Sequence, residues 1–192
     1  MDRNLAERLL LALGSALENA DAEHVDILVC GSMAMILQGI ISRRTRDVDG
    51  VAMVAQVDGN LVTGIPLLEP AFRRAIERVA LIYSVQRNWL SFQSRSLLDD
   101  GLPEGIAERA IVREFGSRLT IRLIARYDMV LLKMKAAVSR GAPDIADLIE
   151  MKTMVEEAQA GYEFCLEQGY PKAKLLGVLE EIGYGDLARR LA

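Results

Sequence analysis

Histidine is nearly absent from this chain: His24 is alone in 192 residues. No metal site can be assembled from two imidazoles, and His24 falls in a polar turn, Asp21 to His24, where a structural role is expected. Cysteine is almost as scarce. Cys30 and Cys165 are far apart and form no metal-ligand spacing. Cys30 ends an apolar run and reads as a small core residue, and a reducing cytoplasm is the expected compartment. No apolar run approaches the length of a membrane span. The N-terminus, Met1-Asp2-Arg3-Asn4, lacks the charged region and cleavage site of a secretion signal. Walker A loop, Rossmann fingerprint, zinc-ligand cluster and nucleophile elbow are all missing. So are internal repeats, low-complexity tracts and disordered linkers.

What is present is ordinary in bulk and uneven in distribution. Hydrophobic residues make up 51% and charged residues 26%, enough for one domain with a real core and a small helical appendage. The net charge is −4, too acidic overall for a basic nucleic-acid binder. Residues 1–30 carry six acids against two bases, residues 31–143 carry 16 bases against 11 acids, and residues 144–192 carry ten acids against five bases. The basic middle is where a polyanionic ligand would be favoured.

That middle contains the stretch Val25 to Val54, VDILVCGSMAMILQGIISRRTRDVDGVAMV. Val25, Ile27, Leu28, Val29 and Cys30 have the length and composition of a buried strand. The run stops at Gly31-Ser32, and Met33, Met35, Ile36 and Leu37 follow at helical spacing, closed by Gly39. A basic loop, Arg43-Arg44-Thr45-Arg46, then feeds Asp47-Val48-Asp49 and a second apolar run. In a strand, Asp47 and Asp49 leave one face while Val48 points into the core. Their Cα atoms are then about 6.5 Å apart, within reach of one Mg²⁺ or of two. A Gly-Ser turn at a helix N-terminus offers backbone N–H groups and a hydroxyl to phosphate. Together these features spell a metal-and-triphosphate site.

Elsewhere the elements are simpler. Asn4 to Asn19 predicts an amphipathic helix with a Leu5, Leu9, Leu13 and Leu17 stripe widened by Leu10. Gln56 to Pro66 reads as a loop holding the Asp58-Gly59-Asn60 turn signal. Leu67 to Tyr83 predicts a second helix, with Phe72, Ile76 and Val79 inward and Arg73, Arg74 and Arg78 outward. Val85 to Gly105 is irregular, with Ser91 to Leu98 open to strand or short helix, and Trp89 is expected in the core rather than as a base-stacking platform. Ser117 to Arg126 alternates as a strand. Asp128 is placed as the N-cap of a helix over 129–139, Asp144 to Ala158 as the next helix, and short helices follow from Gly161 onward. The resulting division is a core over residues 1–143 and a helical extension over 144–192.

The ordered set Gly31-Ser32-Met33-Ala34, Gly39, Arg44-Thr45 and Asp47-Val48-Asp49 resembles the nucleotidyltransferase superfamily, and within it the AbiEii-type, toxin-like branch. Asn88-Trp89-Leu90 and the later Gly101-Leu102-Pro103 resemble that branch as well. So does the run Lys133-Met134-x-Ala136…Arg140…Asp144-x-x-Asp147-Leu148. The resemblance implies an α/β (α+β) fold: a small mixed sheet flanked by helices, with a C-terminal helical segment. It implies a Mg²⁺-dependent enzyme that moves a nucleoside monophosphate from an NTP to an acceptor hydroxyl, on a tRNA or a protein, with a cognate antitoxin as a partner and no membrane. Asp47 and Asp49 are the catalytic and metal-binding residues it implies. Gly31, Ser32, Arg44, Thr45, Arg46 and Lys133 are the nucleotide- and phosphate-binding ones, and the loop 56–66 is placed to cover the nucleotide. Asp144 and Asp147 are expected to be structural, capping a helix and pairing with Arg140.

One departure matters. The superfamily draws a third carboxylate from a later strand, where this sequence offers Arg122, with Glu114 and Asp58 as substitutes. A non-catalytic nucleotide- or partner-binding module is therefore the alternative, with Asp47 and Asp49 paired to Arg43, Arg44 or Arg122 in an ionic network. In a third reading, an unrelated α/β domain, the Gly-Ser turn and the Asp-x-Asp are mere punctuation.

Overall fold

The computed structural model describes residues 1–66 and 68–192. The chain divides into two compact units, Met1–Ala125 and Arg126–Ala192. The first unit is a mixed sheet flanked by helices, and the second is helical; this is the fold class that the resemblance implies. Among the described residues no helix is long and apolar enough to cross a membrane.

The first unit opens with α1 (Arg3–Asn19), capped by the Asp2 carboxylate, which accepts from the Leu5 N–H at 3.0 Å. Its leucine stripe is buried as the spacing requires: Leu9, Leu10, Leu13 and Leu17 are fully covered. Each such side chain contributes roughly 2 kcal/mol of burial. β1 (Val25–Cys30) follows, then α2 (Gly31–Gln38), ended by Gly39 in the left-handed conformation. β2 (Val48–Val57) and β3 (Asn60–Gly64) form an antiparallel hairpin. Asp58 and Gly59 both have positive φ, 49° and 83°, which is the hairpin-turn geometry that Asp-Gly favours. The expected loop at 56–66 is therefore mostly sheet. The turn signal was there, but its two flanks pair with each other instead of lying loose.

The expected helix 67–83 is observed as α3 (Pro70–Ile82), with Pro at its first position. Leu67 lies outside the described residues. β4 (Leu90–Ser91), a 3-10 turn (Gln93–Arg95), α4 (Ser96–Asp99) and α5 (Ile106–Arg109) resolve the irregular region. β5 (Ile111–Glu114), which no periodicity announced, precedes β6 (Leu119–Leu123). The sheet order is β3-β2-β1-β6-β5, with β4 on β2. β1 runs antiparallel to β2 and parallel to β6, while β4 runs parallel to β2. A bulge at Val51 of β2 shifts the register, so that Cys30 faces Asp49 and Leu28 faces Ala52.

The second unit holds α6 (Arg126–Arg140), α7 (Ala142–Glu150), α8 (Val155–Glu167), α9 (Lys172–Glu181) and α10 (Gly185–Leu191). Two expectations are corrected here. Asp128 is not the N-cap of α6 but a buried residue inside its first turn. The helix expected over 144–158 breaks between α7 and α8, where Lys152 has φ 51° and the Thr153 hydroxyl donates to the Leu148 carbonyl at 2.7 Å. Glu157 then caps α8 by accepting from the Met154 N–H at 2.9 Å. Gly161 does not end this helix. A Cβ there would lie 2.6 Å from Met134 Cγ, so the glycine is the surface on which α6 packs.

Candidate functional site

The site in the first unit is built where β1 ends and α2 begins. Cys30 is extended, Gly31 has φ +70°, and the chain then enters α2. A left-handed residue at this junction costs little only when it is glycine. The turn leaves the first N–H groups of α2 without helical partners, at the positive end of its dipole.

Asp49 sits directly against this turn. Cys30 and Asp49 are register partners across β1 and β2, and a Cβ at Gly31 would come 2.8 Å from Asp49 Oδ2. The phosphate-type turn and the carboxylate therefore share one point of the sheet. Asp47 precedes the strand by one residue, and Asp47 and Asp49 are both half-buried while Val48 between them is fully buried. Asp49 is the second residue of β2, and Asp47 lies just outside the strand.

Ser32 is engaged by Arg43, whose Nη2 donates to Ser32 Oγ at 2.7 Å. Arg43 is not singled out by the sequence among the arginines of this loop. It lies eleven positions from Ser32, and nothing in a run of three arginines tells which one turns back to the helix. Arg44 instead approaches Asp2 at 3.7 Å, with both side chains largely exposed. Thr45 is bound through its backbone: its N–H donates to the Met1 carbonyl at 3.0 Å, and its carbonyl accepts from the Met1 ammonium. Arg46 is exposed.

Lys133 belongs to the second unit. Its ammonium donates to Asp144 Oδ1 at 2.8 Å and lies 2.6 Å from Asp147 Oδ2. Arg140 closes the cluster with Nε and Nη2 donating to the two oxygens of Asp144 at 2.8 Å each. Asp144 pairs with Arg140, as the motif suggested, and Lys133 joins them as a buried cation rather than a solvated one.

Arg122 does not reach Asp47 or Asp49. It is two-pronged on Asp26 of the neighbouring strand, with Nε donating to both carboxylate oxygens at 3.0 Å. The substitutes for a third acid are also remote. Glu114 ends β5 at the far edge of the sheet. Asp58 is in the hairpin turn, roughly 30 Å along the strand from Asp49. Among the described residues no three His, Cys, Asp or Glu side chains group as metal ligands.

Two further residues take the structural places expected of them. Trp89 is 1% exposed, and its Nε1–H donates to the Ile76 carbonyl at 3.2 Å. His24 lies 3.1 Å from both the Ser117 carbonyl and Thr120 Oγ1. A carbonyl only accepts, so Nδ1 carries the proton there.

A family model described as "Nucleotidyltransferase of unknown function (DUF6036)" matches residues 8–159. No curated protein and no solved structure matches the chain. The matched span contains every residue of the Gly31–Asp49 site and the Lys133–Asp144 cluster.

Proposed function

The chain belongs to this nucleotidyltransferase family, and from that premise we propose that it transfers a nucleoside monophosphate from a Mg²⁺-bound NTP to an acceptor hydroxyl. The observation that carries the reading is the closeness of Asp49 to the Gly31 turn, which brings a carboxylate suited to a cation and a helix start suited to phosphate to one point.

Mg²⁺ fits the donors present. It is a hard cation that binds proteins through one or two carboxylates and completes its shell with waters and substrate phosphates. Asp47 and Asp49 supply that pair. When bound, the ion offsets the charge that develops as pyrophosphate leaves. The Gly31 and Ser32 N–H groups receive phosphate oxygens, and the guanidinium of Arg43, already at Ser32, adds a fixed positive charge. Arg44 and Arg46 lie in the same basic loop. In the transfer the acceptor oxygen bonds to the α-phosphorus. The α–β bridging P–O bond breaks, pyrophosphate leaves, and the acceptor proton passes to a base. Positioning and charge supply most of such a rate enhancement. The resemblance to the AbiEii-type branch favours a tRNA or protein hydroxyl as acceptor and a cognate antitoxin as partner.

The test is NTP binding by calorimetry, with and without Mg²⁺, on the wild type and on Asp47→Ala/Asp49→Ala. Mg²⁺-dependent binding that the double variant loses supports the site. Asp49→Asn should also abolish Mg·NTP-dependent labelling, and undiminished labelling sinks the assignment.

One observation favours a second reading. No third acid joins Asp47 and Asp49 among the described residues, as in a module that binds nucleotide without turnover. Tight Mg·NTP binding with no pyrophosphate release across a panel of acceptors would select it.

A further inference from the structure

The sheet order places a different group beside Asp49 from the one the sequence suggested. β1 lies between β2 and β6, and Arg122 pairs with Leu28 while Asp49 pairs with Cys30, so the Arg122 and Asp49 Cα atoms are roughly 12 Å apart. The other edge of β2 carries β4, where Val48 faces Leu90 and Asp49 faces Ser91. Residues paired in neighbouring strands leave the same face. Val48 and Leu90 are both buried, and Asp49 and Ser91 leave the opposite face. The next residue returns to the Val48 side. There the Phe92 ring lies so close to Gly50 that a Cβ would meet Cε1 at 2.5 Å. Val48 N–H also donates to the Trp89 carbonyl at 2.7 Å. These contacts fix β4 at the level of Asp49.

Ser91 is 8% exposed, and its Oγ has no hydrogen-bond partner. A buried hydroxyl nearly always finds one, commonly a nearby carbonyl, because leaving it unpaired forfeits its hydration without replacement. An unpaired hydroxyl on the strand position paired with Asp49, with a donor hydrogen and two lone pairs, suits the oxygen shell of a hydrated cation. We infer that Ser91 is the third oxygen donor of the Asp47–Asp49 centre, its hydroxyl contacting a divalent cation held there or that cation's water. The inference rests on the Mg·NTP reading and deepens it. A neutral hydroxyl in place of a third acid leaves the centre two negative charges rather than three. Cation affinity is then weak until a triphosphate arrives, since ligand charge count tunes such sites.

The experiment is Mn²⁺ and Cd²⁺ binding to the full chain without nucleotide, read by electron paramagnetic resonance and calorimetry. Wild type is compared with Ser91→Ala, Ser91→Cys, Ser91→Asp and Asp49→Asn. Ser91→Asp should tighten Mn²⁺ by about tenfold or more through the added charge. Ser91→Cys should raise the Cd²⁺-over-Mn²⁺ preference by about tenfold, because a thiolate is a soft ligand. Ser91→Ala should weaken Mn²⁺ several-fold. The Ala and Cys variants are close to serine in size and keep the test decisive where Ser91→Asp does not fold. Cation binding lost in Asp49→Asn but equal in every Ser91 variant removes the Ser91 inference alone. Binding indifferent to Asp49→Asn, or absent from wild type with no gain in Ser91→Asp, overturns this inference, and the Mg·NTP reading falls with it only where Mg²⁺-dependent NTP binding is also missing.

Discussion

The carboxylate of Asp49 fills the space that any side chain at Gly31 would need: a Cβ there would stand 2.8 Å from Asp49 Oδ2. Glycine is thus required twice at this position, for its φ of +70° and for the room it leaves. The turn and the acid cannot be altered independently.

Gly31→Ala should therefore cost more than a helix-start substitution does. Backbone strain in the left-handed region is worth about 1–3 kcal/mol, and the methyl group also displaces Asp49. A lowered melting temperature together with lost Mg·NTP binding is the expected pair of results. Loss of binding at wild-type stability would show that the crowding of Asp49 matters and the strain does not.

The cluster around Asp144 should be asymmetric in energy. Asp144 is 2% exposed and accepts from both Lys133 and Arg140. Asp144→Ala leaves buried Lys133 with one carboxylate fewer and should cost about 3–5 kcal/mol. The Arg140 side chain is 66% exposed, and Arg140→Ala should cost under about 1 kcal/mol. Urea denaturation of the two variants checks the ordering.

At Gly161 helix propensity and packing oppose each other. Alanine gains nearly 1 kcal/mol of propensity in a helix interior. Its Cβ would meet Met134 Cγ at 2.6 Å, and Met134 is fully buried. Overpacking of about 1–3 kcal/mol should win, so Gly161→Ala destabilises. Combined with Met134→Ala it should become neutral or favourable, which a double-mutant cycle on chemical denaturation would read.

Acid sensitivity should depend on Glu18. Hydrogen bonds from the Ser117 N–H at 2.6 Å and the Ser117 hydroxyl at 2.8 Å hold its carboxyl below the usual glutamate range. A depressed folded pKa contributes stability that is complete above the unfolded value and is lost as pH falls through the folded one. Glu18→Gln should therefore be less stable than wild type at neutral pH, and the two should converge below about pH 4. Melting temperatures across pH 3–7 decide this, and a constant gap would show that the hydrogen bonds carry no charge dependence.

The sequence by itself determined what depends on near neighbours. The β1–Gly31–α2 order, the Leu9 to Leu17 stripe and the Gly39 stop all follow from periodicity and glycine placement within a few residues. Only the tertiary structure decided what lies across from what. β4 has two residues and no period to read, yet its pairing sets Ser91 against Asp49. Arg43 and Arg44 are adjacent in sequence, yet one turns to Ser32 and the other toward Asp2. Gly161 looks like a helix breaker until Met134 is seen to lie on it. Strand pairing and side-chain packing join residues tens of positions apart, and no local propensity encodes those contacts.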